Sequence, residues 1–119
     1  MTGLLRWGLA VLHSGRRSNW LIDCNALGDA DMETLAAITA ECLPPFGVVE
    51  AVPRGGLRLA AALRPYSIPG ERLLIVDDVL TTGRSMEAQR AGRNALGLVL
   101  FARGPLPAWV KAIFRSFEA

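Results

Sequence analysis

Cysteine and histidine are scarce in this chain of 119 residues, which has two cysteines, Cys24 and Cys42, and one histidine, His13. Two cysteines cannot form a disulfide framework, and they lack the close spacing with histidine that a zinc site needs. We therefore expect both cysteines to be small buried side chains in a reducing compartment, and we expect no metal site made of protein ligands alone. A lone histidine with no carboxylate nearby in sequence is more often incidental than catalytic.

Long apolar runs and a strong excess of one charge are also missing. No run approaches the ~20 residues needed to span a bilayer. The apolar stretch at residues 4–12 is interrupted by Arg6 and is followed by the pair Arg16 and Arg17, the reverse of the charge order in a signal peptide. The formal net charge is only +2, and the positive residues, nearly all arginine, are spread along the chain. We therefore expect a cytoplasmic protein that binds neither membranes nor nucleic acid.

Hydrophobic residues make up 51% of the chain and charged residues 20%, which is typical of a compact globular protein. At this length we expect a single domain over residues 1–119. Apolar runs suited to buried strands alternate with helix-like stretches. The predicted strands are residues 20–22, 46–52, 73–76 and 96–101, and the predicted helices are residues 31–42, 57–63 and 85–95, with a last helix after Pro107 whose buried face carries Trp109, Ile113 and Phe117.

Strands that are mostly continuous apolar runs, with Glu50 as the one charged exception, indicate a sheet buried on both faces. Because these strands alternate with helices over short connections, the sequence predicts an α/β fold with a parallel sheet and helices on both faces. Ligands of such sheets bind beyond the carboxyl ends of the strands. The loops after Val52, Val76 and Phe101 are therefore the places where a site is expected.

The strongest functional signal is LLIVDDVLTTGRS at residues 73–85. An apolar strand delivers Asp77 and Asp78 to the edge of the sheet, where carboxylates can accept hydrogen bonds from the two vicinal hydroxyls of a ribose. Downstream, Gly83 lets the backbone approach an anion, and the loop amides, the hydroxyls of Thr82 and Ser85 and the start of a helix can surround a phosphate. The order of these parts predicts a sugar held by acids beside a phosphate held by a loop.

A structural interpretation of the same residues is a polar turn between a strand and a helix. It leaves two adjacent carboxylates repelling each other at no benefit, whereas paired carboxylates tend to mark sites. A nucleoside-triphosphate loop is excluded because the spacing GxxxxGK followed by Ser or Thr does not occur here.

Residues 73–85 resemble the signature of type I phosphoribosyltransferases, which bind 5-phosphoribosyl-1-diphosphate (PRPP). Three further segments resemble the orotate enzymes of that family: HSGRRSNWLID at residues 13–23, the pyrophosphate loop VPRGG at residues 52–56, and LVLFARG at residues 98–104, where a strand ends in an arginine near the base. The resemblance covers most of the chain in the right order. It implies a phosphoribosyltransferase-like domain of type I.

Carried over residue by residue, the resemblance implies contacts for each part of PRPP and for the base. The ribose hydroxyls would contact Asp77 and Asp78, and the 5-phosphate would contact Thr82, Gly83, Arg84 and Ser85. The pyrophosphate would contact Arg54, Gly55 and Gly56, while Thr81, Arg103, Arg17 and Ser18 would face the base or line the entrance. Mg²⁺ would be bound mainly through PRPP. The resemblance assigns no catalytic residue, and it allows a homodimer.

Two features depart from the family pattern. His13 stands where the family usually has lysine, and residues 57–72 are too few to hold the extra strand pair and the mobile, lysine-bearing loop that closes over the substrates. Residues 64–72 instead predict a tight turn after the helix. The resemblance thus implies a fold without the flexible catalytic loop.

The function that the resemblance implies is transfer of phosphoribosyl from PRPP to a nitrogenous base, with an orotate-type pyrimidine favoured and pyrophosphate released. Two alternatives stay open. The chain could be a PRPP- or nucleotide-binding module without turnover, or a degenerate member that keeps only the fold.

Overall fold

The computed structural model describes residues 27–115, which form three α-helices, one short 3-10 helix and four β-strands. In chain order the elements are α1 (Asp29–Cys42), β1 (Phe46–Ala51), α2 (Leu57–Leu63), the 3-10 helix (Arg64–Tyr66), β2 (Arg72–Leu80), α3 (Arg84–Arg90), β3 (Ala95–Ala102) and β4 (Val110–Arg115). The strand predicted at residues 20–22 lies outside the described residues.

The four strands form one parallel sheet in which the order β1-β2-β3-β4 follows the order along the chain. The central strand β3 is buried over its whole length, as expected for the continuous apolar run ALGLVLFA. Within residues 27–115, no helix is long and apolar enough to cross a membrane. The predicted parallel α/β sheet is thus confirmed.

Helices cover both faces of this sheet, also as predicted. On one face, α1 and α2 pack buried side chains such as Met32 and Leu63 against the sheet. The sheet residues that they meet include even-numbered ones of β2 and β3, beginning with Leu74. On the other face, Met86 of α3 packs in a second cluster with Ile75. Because consecutive strands are neighbours while α2 and α3 lie on opposite faces, the β1-α2-β2 and β2-α3-β3 crossovers have opposite hands. One of them therefore has the rare left-handed form.

The helix predicted after Pro107 is wrong, because residues 110–115 form β4 instead. Spacing of four residues matches one face of a helix, but it also matches one face of a strand, whose side chains alternate with a period of two. The backbone of β3 supplies the deciding interaction. It pairs with β4 from Gly97 opposite Val110 to Ala102 opposite Arg115.

Other boundaries shift for local reasons. The helix predicted at residues 85–95 is α3, which ends at Arg90 because Ala91 and Gly92 adopt left-handed conformations with φ of 52° and 76°. Strand β2 continues past its predicted end to Leu80, and the predicted turn at residues 64–72 begins with the 3-10 helix. The expectation that Cys42 is buried is wrong, because this last residue of α1 is exposed.

Strand β1 lies at the edge of the described sheet, and Val48 on it is 68% exposed. The carbonyl oxygen of Val49 accepts a hydrogen bond from Arg64 Nη2 at 3.1 Å. An arginine on a backbone acceptor is one of the ways in which proteins discourage pairing with a foreign strand.

Candidate functional site

The carboxyl ends of β1, β2 and β3 meet at one edge of the sheet, where three loops leave it: residues 52–56, 81–83 and 103–109. The loop after β1 leads to α2 on one face, and the loop after β2 leads to α3 on the other face. Chain segments that diverge in this way open a crevice beyond the strand ends, the usual ligand position in open α/β sheets.

The two acids lie inside β2 and border this crevice. Asp77 is only 7% exposed, and its Oδ1 accepts a hydrogen bond from the Asp78 backbone N–H at 2.8 Å. Asp78 is half-buried, and its Oδ1 accepts from the Val79 N–H at 2.7 Å. Each carboxylate is therefore oriented by the backbone amide of the next residue.

Burial, together with the neighbouring Asp78 side chain, raises the pKa of Asp77 to about 7, although the Asp78 backbone N–H acts in the opposite direction. A carboxylic acid is unstable in its charged form when it is withdrawn from water beside a second acid. Such perturbed groups concentrate at functional sites.

A small open pocket connects Asp77 to the loop after β2, and its lining consists of Asp77, Val79, Leu80, Thr81, Thr82, Gly83, Arg84, Ser85 and Met86. The Thr82 hydroxyl accepts a hydrogen bond from the Arg84 N–H at 3.3 Å, and Gly83 has φ of 84°. All four residues predicted to hold a 5-phosphate thus line one pocket. Because α3 has only seven residues, the loop amides and hydroxyls, rather than a helix dipole, would provide the binding.

The predicted pyrophosphate loop packs directly on the acids. A Cβ atom at Gly55 would lie 2.3 Å from the Asp78 carboxylate, and one at Gly56 would lie 2.2 Å from the Val76 carbonyl oxygen. Only glycine permits this approach at either position. Arg54 is exposed on the same loop, and the peptide bond between Pro53 and Arg54 is cis.

The loop after β3 closes the third side. The Arg103 N–H donates to the Leu80 carbonyl oxygen at 2.9 Å, and a Cβ atom at Gly104 would lie 2.6 Å from the Thr81 carbonyl oxygen. The two residues predicted near the base, Thr81 and Arg103, therefore come from loops in contact. The remaining entrance residues, Arg17 and Ser18, and His13 lie outside the described residues.

The sequence analysis missed the contacts of Gly104 and the side-chain cluster Glu87, Arg90 and Trp109 behind the loops. The pair Glu87 and Arg90, three residues apart on a helix, was a usable signal for an ion pair. Trp109 was expected in the core. It is half-buried against the second cluster, and its indole N–H also donates to Glu87.

The carboxylate oxygens at the crevice fit a metal ion that is bound mainly through the phosphate groups of a ligand. Among residues 27–115, no group of three or more His, Cys, Asp or Glu side chains is placed to hold a metal. Asp77 and Asp78 supply carboxylate oxygens, which suit Mg²⁺, but a hard cation would take its other ligands from water and phosphate oxygens.

No protein-family model and no curated protein matches the chain. Among solved structures, it is similar to the crystal structure of orotate phosphoribosyltransferase from Aeropyrum pernix, with 25% sequence identity and a TM-score of 0.68. The match covers 95% of this chain and 88% of that chain. The fold is therefore the α/β fold of the type I phosphoribosyltransferases.

Within that class, the chain is most like a shortened orotate phosphoribosyltransferase. Between Gly56 and β2, the chain has only α2, the 3-10 helix and a turn at Pro69 and Gly70. The prediction that this interval has no room for a flexible catalytic loop is confirmed.

Proposed function

We propose that the protein binds PRPP and transfers its phosphoribosyl group to a nitrogenous base, with an orotate-type pyrimidine favoured. A ring nitrogen of the base forms a bond to C1′ of the ribose, and the bond from C1′ to the pyrophosphate oxygen breaks. The electron pair of that bond leaves with the pyrophosphate, and the proton on the attacking ring nitrogen is lost to water.

The observation that carries this proposal is the contact between Gly55 and the Asp78 carboxylate, because it joins a loop and a strand that the sequence analysis assigned to adjacent parts of one ligand. The pocket from Asp77 to Ser85 adds a place for the 5-phosphate on the other side of the acids. A ligand with a diphosphate on C1′ and a phosphate on C5′ matches that order.

Each group has a role in the proposed reaction. Asp77 and Asp78 would accept hydrogen bonds from the ribose hydroxyls, and the loop from Thr82 to Ser85 would hold the 5-phosphate. Arg54 and the amides of its loop would stabilise the negative charge that grows on the departing pyrophosphate. Mg²⁺ bound through PRPP would neutralise part of the same charge. We also propose that the protein is located in the cytoplasm.

We expect slow turnover, because residues 57–72 provide no closing loop over these groups. Ground-state contacts with PRPP do not need such a loop. Interactions made only in the transition state would be lost, which lowers turnover without raising the Michaelis constant. Loss of one well-placed donor costs about 100-fold or more in rate.

A binding module without turnover is the second candidate, and the same shortened interval supports it. Both candidates predict that millimolar PRPP with Mg²⁺ raises the midpoint of thermal unfolding, because a ligand of the native state stabilises the fold. An unchanged midpoint would contradict both. Pyrophosphate release with orotate, uracil and purine bases then separates the two, since only the transferase releases it.

A further inference from the structure

We propose that Glu87, Arg90 and Trp109, hereafter the α3 clasp, position the base-side loop (residues 103–109) against the phosphate loop (residues 81–85). The three residues lie outside every group assigned to PRPP or the base. Their inferred role is to hold the base-side loop and the phosphate loop in the relative position in which both contact one ligand. This inference rests on the proposed function.

The α3 clasp is a closed triangle of interactions. Trp109 Nε1 donates to Glu87 Oε1 at 2.9 Å. Arg90 donates from Nη2 to Glu87 Oε2 at 2.7 Å and from Nε to the same oxygen at 3.2 Å. The Arg90 guanidinium also lies 4.4 Å from the centre of the Trp109 ring. Each member contacts both others, so the indole is fixed in position as well as in orientation.

The clasp holds the far end of the base-side loop. This loop begins at the carboxyl edge beside Thr81 and runs back along α3 to Trp109, whose carbonyl oxygen accepts from the Gly97 N–H at 2.8 Å. Pro107 lies in between, with its Cγ atom 3.9 Å from the position of a Cβ on Gly83. The loop thus packs on Thr81 through Gly104 at its near end, and the clasp holds the Trp109 side chain against α3 at its far end.

At the near end, the Arg103 N–H donates to the Leu80 carbonyl oxygen at 2.9 Å. If the clasp opens, Trp109 loses its side-chain hydrogen bond to α3, and the segment between the two ends gains freedom. The position of Arg103 and Gly104 relative to Thr81 then becomes less defined. A ligand that contacts both loops should lose affinity, whereas one that contacts only the phosphate loop should not.

A matched control lies on the opposite side of the same helix. Glu50 of β1 accepts hydrogen bonds from Arg93 Nη1 and Nη2 at 2.8 Å each and from Gln89 Nε2 at 2.9 Å. This ion pair also fastens the α3 region to the sheet, and the partners of Glu50 are Gln89 and Arg93 rather than residues of the base-side loop. Glu50→Gln therefore reports the effect of loosening α3 without loosening the base-side loop.

The test compares orotidine 5′-monophosphate, which has a base, with ribose 5-phosphate, which does not, by calorimetry on the full chain. Trp109→Phe keeps a ring for Arg90 and removes the indole donor, and Glu87→Gln keeps an oxygen acceptor while it weakens the ion pair. We expect both variants to bind the nucleotide about tenfold more weakly, as for a lost hydrogen bond to a charged group, and to bind ribose 5-phosphate as the parent does. Glu50→Gln should leave the ratio of the two affinities unchanged.

Amide hydrogen exchange on the free protein gives a second readout. Exchange at Arg103 and Gly104 should be faster in Trp109→Phe and unchanged in Glu50→Gln. Equal weakening of both ligands, an unchanged affinity ratio, or unchanged exchange would overturn the positioning role while leaving the proposed function intact. If the parent protein binds neither ligand, the proposed function fails and this inference fails with it.

Discussion

Two carboxylates on neighbouring strands, Glu50 on β1 and Asp77 on β2, have opposite surroundings. Hydrogen bonds from Arg93 and Gln89 lower the pKa of Glu50 to about 2. Asp77 has a second acid beside it, and burial raises its pKa to about 7. Glu50 is therefore stabilised in its charged form by the fold, whereas Asp77 is destabilised in that form.

The difference separates an acid that serves the fold from one for which we propose a ligand. Glu50 connects β1 to the α3 region, because its carboxylate accepts hydrogen bonds from Gln89 and Arg93. The carboxyl of Asp77 lines a pocket. A fold can retain such an unfavourable group where function requires it, and removing the group commonly raises stability.

The largest effect should come from the double variant Asp77→Asn with Asp78→Asn. Two charged acceptors for the ribose hydroxyls become neutral amides, and hydrogen bonds to charged groups contribute enough that PRPP affinity should fall about 100-fold. Stability should stay the same or rise slightly, because the repulsion between the acids is removed. Calorimetry with PRPP and Mg²⁺ gives the affinity. Binding equal to that of the parent would rule out the ribose role.

A smaller loss of affinity is expected for Gly55→Ala, because its new Cβ would lie 2.3 Å from the Asp78 carboxylate and must displace it. PRPP affinity should fall about tenfold, as for one misplaced charged acceptor. Gly56→Ala is the control, since its Cβ would meet the backbone oxygen of Val76 at 2.2 Å. That clash falls on the sheet and should lower the free energy of unfolding by about 1–3 kcal/mol. If the two variants had equal effects on stability and on PRPP binding, the separate roles of Gly55 in binding and Gly56 in folding would be contradicted.

Glu50→Gln should show the reverse of the Asp77 behaviour. It removes a charge that Arg93 contacts through two hydrogen bonds, so the midpoint of thermal unfolding should fall by a few degrees. The affinity for PRPP should stay within about twofold, because Glu50 does not line the pocket at Asp77. A large loss of affinity at a temperature well below the midpoint would place Glu50 in the site.

The smallest effect should appear in the pH dependence of stability. The folded-state pKa of Asp77 is raised from 3.8 to about 7, so the fold binds its proton more tightly and stability should decline as pH rises through this range. The folded-state pKa of Glu50 is lowered from 4.5 to about 2, so its contribution is present above 4.5 and is lost as pH falls toward 2. Denaturant titrations of Asp77→Asn and Glu50→Gln should flatten the neutral and acidic parts of the profile, respectively. A decline near neutral pH that persists in Asp77→Asn would contradict this assignment.

Much of the fold could be predicted because its signals are local. Helix α2 has the bounds expected from the Leu- and Ala-rich run at residues 57–63, and β3 follows the apolar run around residues 96–101. The secondary structure of residues 110–115 could not be predicted from the sequence of that segment alone. Their spacing suits a helix and a strand equally, and the unpaired side of β3 decided the outcome.

The site was predictable in its residue types and less so in its contacts. The acids, the Thr-rich loop and the two glycines after Val52 indicated a phosphorylated sugar before any fold was known. The contact between Gly55 and Asp78 required the sheet, because it depends on β1 and β2 being neighbours. Trp109 was assigned to the core from its size alone, since the sequence gives no sign that its indole N–H faces Glu87.

The match between sheet order and chain order has a consequence for how the molecule forms. Val49 pairs opposite Leu74, 25 positions later, and Leu74 pairs opposite Leu96, 22 positions later. Each separation is about a fifth of the chain length, and parallel pairing over such distances accompanies slow folding. During synthesis, the strands can be added one at a time as the polypeptide leaves the ribosome. The segments bordering the crevice lie within residues 46–109, so they are made before the ribosome reaches β4.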